Sequence, residues 1–101
     1  MTNDDLLVML KSNLEIITEY MDEEAKTAKD AELTVYLNSS ISYIEREGIT
    51  LSLDDVGDCQ LIVMYAAWLY SKRRADGEAG LMPRMLRYNL NNKLMEAKSN
   101  G

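Results

Sequence analysis

Leu61, Ile62, Val63, Met64, Tyr65, Ala66, Ala67, Trp68, Leu69 and Tyr70 form one unbroken apolar run in the middle of the chain. No other stretch restricts the fold as strongly. A membrane-crossing helix needs about 20 such residues, so the run is too short to span a bilayer. It is longer than most strands, and Ala, Leu and Met favour the helix. A helix that is apolar all round must be covered on nearly every side. The run therefore predicts a central helix over residues 57–74, with the other helices packed around it. Ser71, Lys72, Arg73 and Arg74 end it. Positive charge suits that end, where the exposed carbonyls carry partial negative charge.

The flanking segments supply the covering helices. Asp4 to Leu14 reads as a short first helix, capped by Thr2 or Asn3, with Asp4 and Asp5 suited to its amino end. Leu6, Leu10 and Leu14 recur every fourth residue and make one apolar face, widened by Leu7. Residues 15–29 are ambiguous. Ile16, Ile17 and Thr18 are β-branched in succession, which weakens a helix, yet Ile17, Met21, Ala25 and Ala28 keep helical spacing. The expectation is a break near Glu15 to Glu19 and a helix resuming between Tyr20 and Asp30, with part of 15–29 a mobile loop or irregular helix.

Asp30 to Glu47 predicts a second helix, with Leu33, Leu37, Ile41 and Ile44 at spacings of four, four and three. Tyr36 and Tyr43 flank that stripe. Gly48 ends the helix, because glycine enters the left-handed cap without strain, and Ile49 and Leu51 fold back onto the helix end. Asp54 or Asp55 caps the central helix, and Asp58 adds charge to its first turn. Gly77 and Gly80 bracket the loop that follows. Pro83 opens the last helix, at a position where its missing amide hydrogen costs nothing. Leu86, Leu90 and Leu94 then repeat every fourth residue. Residues 98–101 read as a frayed tail. No stretch carries a strand signal. The fold class is all-α: one domain over residues 1–101, a bundle of four to five helices. The expected core is Leu37, Ile41, Ile44, Leu61, Met64, Tyr65, Trp68, Leu69, Leu86 and Leu90.

At 101 residues, the core of such a domain is self-sufficient but thin. The single cysteine, Cys59, cannot form an internal disulfide and reads as a small buried hydrophobe. The chain has no histidine, which excludes zinc sites built from His and Cys and the Ser-His and Cys-His nucleophile pairs. The glycine-rich phosphate cradle and the dinucleotide fingerprint are both absent. Carboxylates abound, but none sits in an apolar stretch that would tune it for acid–base work. Asp22, Glu23 and Glu24 read as a solvated helix face rather than metal ligands. No enzyme activity, cofactor or metal is expected. Met82, Met85 and Met95 suit either core filling or an adaptable binding surface. Thr2, Asn3, Asp4 and Asp5 after Met1 do not resemble a secretory leader, so the expected place of synthesis and assembly is the cytoplasm.

The net charge of −6 is unevenly placed. Residues 1–70 carry four basic residues against fourteen acids, whereas residues 71–101 carry seven against three. Such asymmetry can steer the two ends toward different partners. Lys72, Arg73, Arg74, Arg84 and Arg87 with Tyr88 suggest a basic patch, but the acidic body opposes the many phosphate contacts that tight nucleic-acid binding needs. A small helical regulator that binds a protein partner or DNA is the alternative function this patch suggests.

Four features in order carry a family resemblance. An amphipathic helix ends in Ile44, Glu45, Arg46, Glu47, Gly48 and Ile49, and a short acidic link runs to Asp58. The apolar helix Leu61 to Arg74 follows, and after a glycine loop comes the run Met82 to Leu94, with Pro83, Arg84, Leu86, Arg87, Tyr88 and Leu90. Over about two-thirds of the chain this pattern resembles the head–tail connector family of tailed bacteriophages and prophages. The resemblance implies a structural virion protein at the head–tail interface, assembled in the bacterial host cytoplasm. It implies a homo-oligomeric ring of about twelve copies beneath the portal protein, docking a downstream neck or tail protein. DNA would pass through its channel without specific binding, and no membrane is involved. Tyr36, Tyr43, Ile49, Leu51, Arg84, Arg87 and Tyr88 are the expected subunit or partner interface, with Arg84 and Arg87 meeting acids such as Asp22 to Glu24 of the adjacent copy.

Overall fold

The computed structural model describes the backbone of residues 2–74 and 82–100, and the side chains of residues 2–73 and 82–96. Over these residues it is an all-α bundle of four helices: α1 (Asn3–Leu14), α2 (Glu23–Arg46), α3 (Val56–Arg74) and α4 (Arg84–Asn100). Each start has a local cause. At α1, the Thr2 hydroxyl accepts the Asp5 amide at 3.3 Å while the Asp5 carboxylate accepts the Thr2 amide at 2.9 Å. This reciprocal box satisfies two donors that the helix cannot, and its bonds hold the Asp5 carboxyl below its ordinary pKa. At α2, Asp22 accepts the Ala25 amide at 2.7 Å. At α3, the Asp55 carboxylate accepts the amides of Gly57 at 2.8 Å and Asp58 at 3.2 Å, so Asp55 rather than Asp54 is the cap. At α4, the Pro83 carbonyl accepts the Arg87 amide at 3.1 Å, which puts Pro83 one place before the first helical residue.

The helix ends are equally local. Glu15 takes the left-handed conformation (φ 58°), and Ile16 donates back to the Lys11 carbonyl at 2.9 Å. That closure, followed by the β-branched Ile16 to Thr18, separates α1 from α2. Gly48, at φ +99°, turns the chain off the end of α2.

α3 is the hub. From Asp58 to Tyr70 every residue is buried or half-buried except Gln60. α2 runs antiparallel to it, as the pairs Tyr36–Tyr70 and Tyr43–Tyr65 require. The core joins Leu6 and Leu10 of α1, Leu33, Leu37 and Ile44 of α2, Leu61 to Val63, Tyr65 and Ala66 of α3, and Leu86 and Leu90 of α4. The molecule measures 48 × 33 × 18 Å, with a radius of gyration of 14.4 Å. A compact chain of this length would have a radius of about 13 Å. The protein is a slab, roughly two helix widths (each about 10 Å) thick.

Several expectations are corrected. There is no separate helix beginning at Asp30: α2 runs unbroken from Glu23, and within 15–29 only residues 15–22 are irregular. The Ala- and charge-rich stretch after Asp22 propagates helix once its cap is in place. Ile49, expected at an interface, is 2 % exposed, because the Gly48 turn folds it into the core. Ile41, Met64, Trp68 and Leu69 only pack against the core from its margin, whereas Leu6, Leu10, Leu33 and Ile62 are fully buried within it. The backbone of α4 extends to Asn100. Gly77, Gly80, their loop and Gly101 lie outside the described residues.

Candidate functional site

The covering of α3 is uneven. Gln60, Met64, Ala67 and Ser71, at intervals of four, three and four, form the floor of an open groove between α1 and α4. Three adjoining hollows share Met64. One, about 560 Å³, lies against Val8, Met9 and Ser12 of α1. The second, about 640 Å³, lies between Asn13 to Glu15 and the start of α4 at Pro83 and Leu86. The third, about 260 Å³, lies between the start of α3 and Asn89, Asn92 and Lys93 of α4. These neighbours also fix direction: α1 runs alongside α3 in the same sense and α4 in the opposite sense. Val8 on the wall is 65 % exposed, so the groove presents apolar surface to solvent. The buried indole Nε1 of Trp68, beside the second hollow, has no hydrogen-bond partner among the described residues.

Ionic contacts hold the walls. Asp58, 5 % exposed at its side chain, meets the Lys93 ammonium at 2.8 Å and accepts the Ser52 amide at 2.9 Å. The hydrogen bond to Asp58 raises the Lys93 pKa above its ordinary value, and burial opposes it less strongly. Arg87 pairs with Glu47 at 2.8 Å, tying α4 to the end of α2. Lys11 pairs with Asp30 at 2.6 Å and ties α1 to α2. Arg87, expected to reach an adjacent copy, is therefore committed within its own chain. Asp22 is likewise occupied as a helix cap.

The aromatic side chains form a ladder along α2 and α3. Tyr36 meets Tyr70 edge-on at 5.6 Å, Tyr43 stacks on Tyr65 at 6.2 Å, and Tyr65 meets Trp68 edge-on at 5.6 Å. Burial pushes the Tyr65 phenol pKa up. Arg46 lies over Tyr43, and Lys72 over Trp68. Tyr36 is thus an internal packing residue, and Leu51 packs half-buried against the core. Tyr43 keeps 45 % of its surface exposed. Cys59 is buried, its thiol pKa raised by desolvation.

The outward face of α4 is different. Met85, Tyr88 and Met95 are 65 %, 60 % and 67 % exposed, opposite the buried Leu86 and Leu90. Arg84 is exposed beside them. Of the expected interface residues, Arg84 and Tyr88 are exposed on α4, whereas Ile49 is buried and Tyr36 and Leu51 pack against the core. The groove was missed in the sequence, where Gln60, Met64, Ala67 and Ser71 show only that one stripe of α3 is smaller and more polar than the rest.

Among the described residues, no cluster of three or more His, Cys, Asp or Glu side chains could hold a metal ion, and no helix is long and apolar enough to cross a membrane. No family model, curated protein or solved structure matches the chain.

Proposed function

We propose that this chain is a structural head–tail connector of a tailed bacteriophage or prophage. Copies would assemble as a ring under the portal, extend the DNA channel and dock the next neck or tail component. The observation that carries the reading is unfinished burial: a slab 18 Å thick exposes both an apolar groove and an apolar helix face. Contiguous exposed apolar surface of this kind marks interaction sites, and neighbouring copies stabilise a thin domain by covering it. The charge split also fits, because a predominantly acidic channel wall repels phosphate and lets a duplex slide. The exposed Arg84 and Tyr88 speak for the DNA-binding regulator. Against it, Arg87 and Lys93 spend their charge on Glu47 and Asp58, which thins the basic face.

Negative-stain microscopy of the purified protein, alone and mixed with a portal, tests the proposal. Rings of constant symmetry in either sample are the expected result. No ring in either sample, together with tight sequence-dependent binding in a gel shift at moderate salt, would overturn it in favour of the regulator.

A further inference from the structure

We infer that the outward stripe of α4 in one copy seats in the groove over α3 of the next copy, an inference that takes its setting from the ring reading above. Three observations select a second copy as the occupant. The first is length. Met85 to Met95 covers about 15 Å of helix and the groove floor from Gln60 to Ser71 about 16 Å, at 1.5 Å per residue. The second is shape and chemistry. The stripe offers two thioethers and a phenol ring at helical spacing, and the floor is low where Ala67 and Ser71 replace large side chains. Flexible methionines fill such irregular space well, and a helix laid in a groove is a recurrent docking mode. The third is charge. The stripe carries the exposed Arg84, while the exposed Glu15 stands at the groove margin. Lys93, on the margin beside α4, is already held by Asp58 and Glu96 of its own chain.

The stripe is centred away from the groove, with Met85 at its groove-facing edge. Tyr88 on the stripe and Asn89 on the groove wall are sequence neighbours, about 100° apart around the helix. One contact therefore leaves a free stripe on one copy and a free groove on the other. Such a head-to-tail contact propagates, and it closes into a ring when the rotation per step allows.

Cross-linking of the full chain with a short bis-maleimide tests this directly. One variant carries Tyr88→Cys on the stripe, the other Ala67→Cys on the floor, with Ser71→Cys as a second floor variant should the first disturb folding. The wild type is the control for Cys59, which is buried. Each single variant alone should stay at the wild-type background. An equal mixture of the two should give a product at twice the 11.5 kDa chain mass. The double variant should give a ladder of higher multiples. The contact is overturned if either variant links to itself as strongly as the mixture does. It is also overturned if the mixture gives no more product than a floor variant mixed with Val35→Cys, placed on an exposed site of α2. Rings in micrographs without the stripe-to-floor product would sink this contact and leave the ring reading standing. Linked open chains without rings would do the reverse.

Discussion

Gly48 holds a backbone conformation that residues with a Cβ adopt only under strain, at φ +99°. A Cβ there would meet Leu94 Cδ1 at 3.5 Å, an ordinary contact, so the cost of Gly48→Ala comes from the backbone alone. It should destabilise the protein by about 1–2 kcal/mol in urea unfolding. The Asp58–Lys93 pair is the other residue-scale determinant. Lys93→Met would leave a buried carboxylate with the Ser52 amide as its remaining partner. Because Lys93 is partly solvated, the expected loss is about 2 kcal/mol, below that for a fully buried pair. The sign of the pH dependence follows from the raised Lys93 pKa. The folded state holds this proton more tightly than the unfolded chain does. The pair's stabilisation is therefore complete below the ordinary lysine value of 10.5 and is lost as pH rises through the higher folded value. Urea midpoints taken across that range should fall for the wild type and lack this component in Lys93→Met. Tyr65, whose phenol pKa burial also raises, is common to both proteins, so the difference isolates the pair.

Helix α2 shows how a single cap decides an element. Three acids stand together at its start, and only Asp22 turns its carboxylate back to an amide. Glu23 and Glu24 project into solvent in the first turn. Asp22→Ala should cost about 1 kcal/mol, and Glu23→Ala only a few tenths through the helix dipole. Thermal or urea unfolding of the two variants separates the roles, and equal losses would refute the assignment. The stripe Leu33, Leu37, Ile41 and Ile44 made this helix legible in the sequence. Its true start was less legible, because Ile17, Met21, Ala25 and Ala28 keep helical spacing across a backbone that has already turned at Glu15.

Across the whole molecule, protection should grade from the hub outward. α3 is buried or half-buried at every residue from Leu61 to Tyr70, whereas α4 rests on Leu86, Leu90 and two ion pairs while its outer face is bare. Native-state amide exchange should find Leu61 to Tyr70 opening only with global unfolding and α4 opening at lower free energy. Unprotected amides in Leu61 to Tyr70 would contradict the architecture. If α4 seats in a neighbour's groove, its exchange should slow on assembly while that of α3, already buried, barely changes.

The local sequence alone determined that this chain forms helices, that one of them is central, and where most of them cap and end. Those outcomes rest on periodicity, backbone sterics and contacts within a few residues, all written locally. Tertiary structure decided which half-apolar faces meet and which are left over. It drew Ile49 inward, paired Arg87 with Glu47, turned Tyr36 toward Tyr70, and left α1 and α4 apart over Met64. Each of those contacts joins residues far apart in the chain. The angle at which two helices settle on a third depends on the packing of all three together, and no local pattern encodes it.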